Sequence, residues 1–130
     1  MDQIITAMMI HLSDKCRYLY YNGIADMRKS FHGLAAIVTY QMQCDVLNGD
    51  IYIFISKRRN AIKLLRFEGD GFAVYYKRLE KGTFEIPSTD NRSGAMVISD
   101  NELIFILKGV SLSRVKYRPR YSHNSPVVNK

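Results

Sequence analysis

The stretch SKRRNAIKLLRF, from Ser56 to Phe67, holds five Lys or Arg among its twelve residues and no carboxylate. Cations at this density suit one kind of chemistry above others, the neutralisation of phosphates. That exchange releases counterions and dominates sequence-independent affinity for DNA. Further cations recur elsewhere: Arg28 and Lys29; Lys77, Arg78 and Lys81; and Arg114, Lys116, Arg118 and Arg120 near the C-terminal end. Tyr75, Tyr76, Tyr117 and Tyr121 lie among them, as expected where rings stack on bases or cap sugars. The plainer alternative is a solvated basic surface whose tyrosines fill half-buried strand positions. The pattern alone leaves the two readings level.

Other chemistry is poorly supplied. The chain has no GxSxG, HExxH, P-loop or strand-to-helix GxGxxG motif. A metal nuclease would draw on Asp26, Asp70 and Glu80. Asp26 is better explained as a helix cap, Asp70 as a turn residue, and Glu80 as a partner for a neighbouring cation. His11, His32 and His123 have no Ser, Cys or Asp at a spacing that suggests a triad. Cys16 and Cys44 are far apart and in no CxxC, which points to reduced thiols rather than a metal or redox site. No catalytic residue, metal or cofactor is expected.

The chain as a whole sets matching bounds. Its 130 residues suit one domain, long enough to bury roughly two-thirds of its unfolded surface without a disulfide or metal. The net charge of +7 and pI near 9.5 favour an acidic partner. No apolar run approaches the ~20 residues that cross a bilayer. The N-terminus has Asp2 where a signal peptide would carry positive charge, so a cytoplasmic protein without membrane contact is expected.

The elements that must position these residues follow from pattern. CRYLYY, Cys16 to Tyr21, reads as a strand closed by Asn22-Gly23. Asp26 is placed to cap a helix reaching Met42, because Met27, Phe31, Leu34, Ala35, Val38 and Met42 recur at helical period. His32 falls on its exposed side. Asp50 to Ser56 is almost wholly apolar, a central strand buried on both faces. Ala61 to Phe67 and Phe72 to Leu79 follow, joined by short turns, the second carrying Asp70-Gly71. Three strands in antiparallel meander order result, with Lys63 and Arg66 on opposite faces. Phe84 to Pro87 reads as a brief edge segment and Ser88 to Gly94 as a polar loop. Ile98 to Gly109 reads as a short helix, with Ser99 and Glu102 as a capping box, Ile98 and Leu103 as a hydrophobic staple, and Gly109 as the stop. The sum is an α+β domain, an antiparallel meander of about four to five strands packed by one main helix, plus a short C-terminal helix. Residues 1–112 form the domain and 113–130 a basic, flexible tail.

DMRKSFHGLAAIV, Asp26 to Val38, resembles the D-M-R-K-x-F-x-G-L signature of the TnpB-type accessory protein, the second open reading frame of insertion sequences of the IS sixty-six family. A second block, Ile51 to Pro87, agrees at Lys63, Leu65, Gly71, Phe72, Lys77 to Glu80, Gly82, Phe84 and Pro87. LIFILKGV, Leu103 to Val110, is similar to the family's closing L-x-x-L-L-x-G segment. The likeness runs from about Leu12 to Val110. Where the family often carries Trp, this chain has Ala73, Tyr75 and Ile86; of these, Tyr75 could serve as a stacking platform. The resemblance implies a part in bacterial transposition beside a separate transposase and a small helix-turn-helix protein. It does not imply the RNA-guided nuclease that shares the TnpB name. The expected function is a non-enzymatic accessory factor that binds DNA through Arg28, Lys29, Lys57, Arg58, Arg59, Lys63, Lys77, Arg78 and Lys81, extended by Arg118 and Arg120. The alternative is an adaptor that docks onto the transposase without touching DNA.

Overall fold

A computed structural model describes residues 16–88, 94–111 and 116–117. Its main sheet contains β1 (Tyr18–Tyr21), β2 (Ile51–Ile55), β3 (Ala61–Phe67), β4 (Phe72–Arg78) and β5 (Ala95–Ile98), in spatial order β4-β3-β2-β1-β5. The helices are α1 (Phe31–Ala36), which widens into a π-helical turn over Ile37–Gln41, and α2 (Asp100–Lys108). A separate two-stranded ladder pairs β6 (Val110–Ser111) with β7 (Lys116–Tyr117). The α+β class and the β2-β3-β4 meander stand as the sequence suggests.

β2 lies inside the sheet and is buried along its whole length. Period-2 alternation sends its side chains into two separate cores. Ile51, Ile53 and Ile55 pack with Ile62, Leu64, Tyr75 and Phe84 under Leu103, Ile106 and Leu107 of α2. Tyr52 and Phe54 pack on the other face with Leu19, Leu65 and Leu34, Val38 and Met42 of the first helical segment. Each helix therefore covers one face. Cys16 and Cys44 are free thiols that pack against opposite cores, and burial pushes both thiol pKa values up.

One pairing departs from a purely antiparallel sheet. β1 runs parallel to β2, with Tyr18 beside Ile51, and antiparallel to β5, with Tyr18 beside Ile98. A parallel neighbour requires a crossover, and α1 supplies it. Asp50 fastens the start of this pair. Its buried carboxylate accepts the Arg17 backbone N–H at 2.9 Å and Nε at 3.0 Å, and the guanidinium closes an ion pair at 2.9 Å. Strand β5 itself, the short run AMVI, lies where no strand is expected from sequence.

The start of α1 is the clearest correction. Asp26 does not cap the helix. Its Oδ1 accepts the Arg28 N–H at 2.9 Å, and its carboxylate grips the Arg28 guanidinium, so its acceptors are used locally. The helix begins at Phe31 behind Ser30, which makes no side-chain cap. Leu34, Val38 and Met42 form the buried stripe, while Phe31 and His32 stay exposed. The π turn brings Gln41 against the backbone of Gly94, where any Cβ would collide with the Gln41 carbonyl oxygen. At α2 the sequence reading holds. Ser99 and Glu102 exchange both capping hydrogen bonds, Gly109 stops the helix at φ 86°, and Ile98 and Leu103 share one core. Phe84–Pro87 forms no strand. The Phe84 N–H donates to the Arg59 carbonyl, and the ring is fully buried.

Candidate nucleic-acid interface

β2 and β3 are joined by Ser56 to Asn60, a tight turn that puts Lys57, Arg58 and Arg59 in solvent at one end of the sheet. Arg59 adopts φ 62°, the left-handed conformation that closes such turns. Ser56 Oγ holds the turn, donating to Asn60 Oδ1 at 3.2 Å and accepting from the Ala61 N–H at 3.1 Å. Beside it runs a groove of about 530 Å³. Ile24 to Met27 form one wall; Ser56, Lys57, Arg58, Asn60 and Ala61 form the turn side; Tyr76 and Arg78 come from β4.

Strand parity decides which charges join this groove. Lys63 pairs directly with Tyr76 and Ala61 with Arg78, all on the face covered by α1. The Lys63 ammonium lies 5.1 Å from the Tyr76 ring centroid and donates to the Lys29 carbonyl at 2.8 Å. That bond ties the α1 approach segment to the sheet. Arg28 stands next to the groove on Asp26. The Arg28 hydrogen bonds hold the Asp26 pKa down to about 2, and the same contact raises that of Arg28. Asp26 is the only carboxylate among the groove-lining residues, and its charge is already matched.

Of the residues picked out from sequence, Lys57, Arg58 and Arg78 line the groove, Arg28 stands beside it on Asp26, and Lys63 reaches the same face of the sheet, where it ties down the Lys29 carbonyl. Arg59 turns instead toward a smaller recess of about 190 Å³, lined also by Tyr20, Ile55 and Ile86. Lys77 pairs with Ile62 and belongs to the α2 face. Lys81 is exposed in the turn after β4. Arg118 and Arg120 lie outside the described residues. Arg66 is on the face opposite Lys63, as parity requires, and is buried with its Nε donating to the Gly49 carbonyl and its guanidinium 3.5 Å from Glu68.

Tyr75 cannot act as a stacking platform, because it is buried in the α2-side core at 6% exposure. Its neighbour Tyr76 is 50% exposed and lines the groove. Ile24, 67% exposed, is a groove residue that the sequence reading passed over; an isolated apolar residue after Asn22-Gly23 gives no signal of its own. Among the described residues no group of three His, Cys, Asp or Glu is placed to hold a metal ion. No helix among them is long and apolar enough to cross a membrane.

A family model described as IS66 Orf2 like protein matches residues 16–117. An uncharacterized protein of Sinorhizobium fredii, y4jC, is 31% identical over 111 residues, covering 85% of this chain and 93% of that protein. A second from the same organism, y4hO, is 29% identical over 102 residues, 78% of this chain and 87% of its own length. No solved structure matches.

Proposed function

The chain belongs to the IS66 Orf2-like protein family of insertion sequences, and from that premise we propose that it is a non-enzymatic accessory factor of transposition that binds DNA through the basic side of its sheet. Membership gives the biological process. The mode of action is our reading, and one observation carries it. Three exposed cations from the β2–β3 turn and β4, Lys57, Arg58 and Arg78, line a groove whose single carboxylate is already ion-paired to Arg28 beside it. Charges brought together from separate segments produce a local positive potential that the same charges spread evenly would not. Phosphates of a DNA backbone fit that potential, with the transposase and the small helix-turn-helix protein of the same element as further partners. The test is a gel shift on the ends of the element against random duplex across a salt series. Binding that falls steeply with salt supports the proposal, and a free probe at every salt concentration removes it.

A second reading, the adaptor that docks onto the transposase, draws on Val74 and Phe31, both exposed on the α1 side of the sheet near Phe72. Its test is a pull-down of the transposase before and after nuclease digestion. A complex that survives digestion favours the adaptor, and one that is lost favours DNA.

A further inference from the structure

We infer that the groove takes an unpaired nucleotide, so that the chain prefers single-stranded DNA to duplex. The inference rests on the DNA-binding reading above and narrows it to one form of DNA.

Two kinds of group meet in the groove. Lys57, Arg58 and Arg78 are exposed cations at its rim, suited to phosphate. Tyr76 is an aromatic side chain half open to solvent, which phosphate does not require. A single cation contact orients it. Lys63, directly opposite across the β3–β4 ladder, holds its ammonium 5.1 Å from the ring centroid. That ammonium is itself fixed by donating to the Lys29 carbonyl at 2.8 Å. A ring oriented without being buried loses little conformational freedom on stacking, so more of the stacking energy appears as affinity.

Duplex DNA keeps its base faces inside the helical stack and presents only base edges and backbone. A single strand presents base faces, and stacking on an aromatic side chain beside a cationic backbone track is the way such strands are held. The groove is broad and open, and its volume of about 530 Å³ leaves room for one nucleotide to lie against Tyr76. Ile24, exposed and also lining it, adds apolar surface for a base or sugar. A duplex would ride on the rim cations and leave Tyr76 and Ile24 unused.

The experiment compares a labelled DNA strand of about twelve nucleotides, within the usual footprint of single-strand binders, with its own duplex by fluorescence anisotropy at one salt concentration. Proteins are the parent chain, Tyr76→Ala and Tyr76→Phe, with thermal melts confirming that both variants fold. The single strand is expected to bind about tenfold tighter than duplex. Tyr76→Ala should abolish that difference while leaving duplex affinity within about twofold, and Tyr76→Phe should keep it. Equal affinity of the parent for both forms overturns the inference and leaves DNA binding standing, as does a single-strand preference that survives in Tyr76→Ala. An RNA strand of the same sequence binding more tightly than the DNA strand also overturns it. Failure to bind either form of DNA removes the broader reading as well.

Discussion

Replacing Arg58 and Arg78 together with Ala should change how binding responds to salt far more than how the protein folds. Three exposed cations line the groove: Lys57, Arg58 and Arg78. Arg28 is excluded because Asp26 holds it, and Lys63 because its ammonium serves the Lys29 carbonyl. Three phosphate contacts give a slope of log K against log salt of about −2.7 on duplex DNA, so raising salt from about 50 to 200 mM weakens binding about 40-fold. Removing two of them cuts the slope to about −0.9, and the same change in salt then weakens binding only about 3.5-fold. Both residues are exposed, so stability should move by no more than about 0.5 kcal/mol. Lys108→Ala supplies the control. It removes one charge from the end of α2, on the far face, and should leave the slope within error of the parent. The assay is anisotropy titration of a labelled random duplex at four salt concentrations. A double variant that keeps the parental slope, or a Lys108 variant that shifts it equally, would show that the measured affinity comes from overall charge and that the groove has no special part.

Three further outcomes test the fold that carries the groove. Asp50→Ala removes the acceptor of two Arg17 hydrogen bonds and an ion pair, and should destabilise by about 3 kcal/mol, read as a lower denaturant midpoint; Asp50→Asn should lose roughly half as much. Burial pushes the Tyr52 phenol up to about 12, above the ordinary value near 10. A raised folded value means that this contribution to stability is complete below about pH 10 and lost as pH rises toward 12; Tyr52→Phe should flatten the stability profile in that window. Gly94→Ala drives a methyl into the Gln41 carbonyl and should lower stability by about 1–3 kcal/mol, read by thermal melting.

How legible this molecule is from its sequence varies along the chain for physical reasons. The β2-β3-β4 meander and the caps of α2 depend on neighbours in sequence, an apolar run, a Gly turn, a Ser and a Glu three apart, and they are found where those signals lie. β1's parallel alignment with β2 depends on a partner a helix away, and β5 is too short to show a period. Asp26 is a sound helix-cap type, but an adjacent Arg competes for the same carboxylate. The site suffers from a subtler loss. β3 is buried on both faces, so its apolar residues do not reveal which parity faces α1. The roles of Tyr75 and Tyr76, one locked in a core and the other open in the groove, are therefore exchanged by a shift of one residue that sequence alone leaves unspecified.

β1 lies between two partners made at very different times. During synthesis Ile51 reaches it first, while Ala95 to Ile98 leave the ribosome only after the whole meander. A nascent chain halted after Arg78 would carry a bare ladder along β1, which the finished chain pairs with β5. Such margins recruit copies of themselves. β5, only four residues long, thus closes a margin of β1 that every shorter product leaves open.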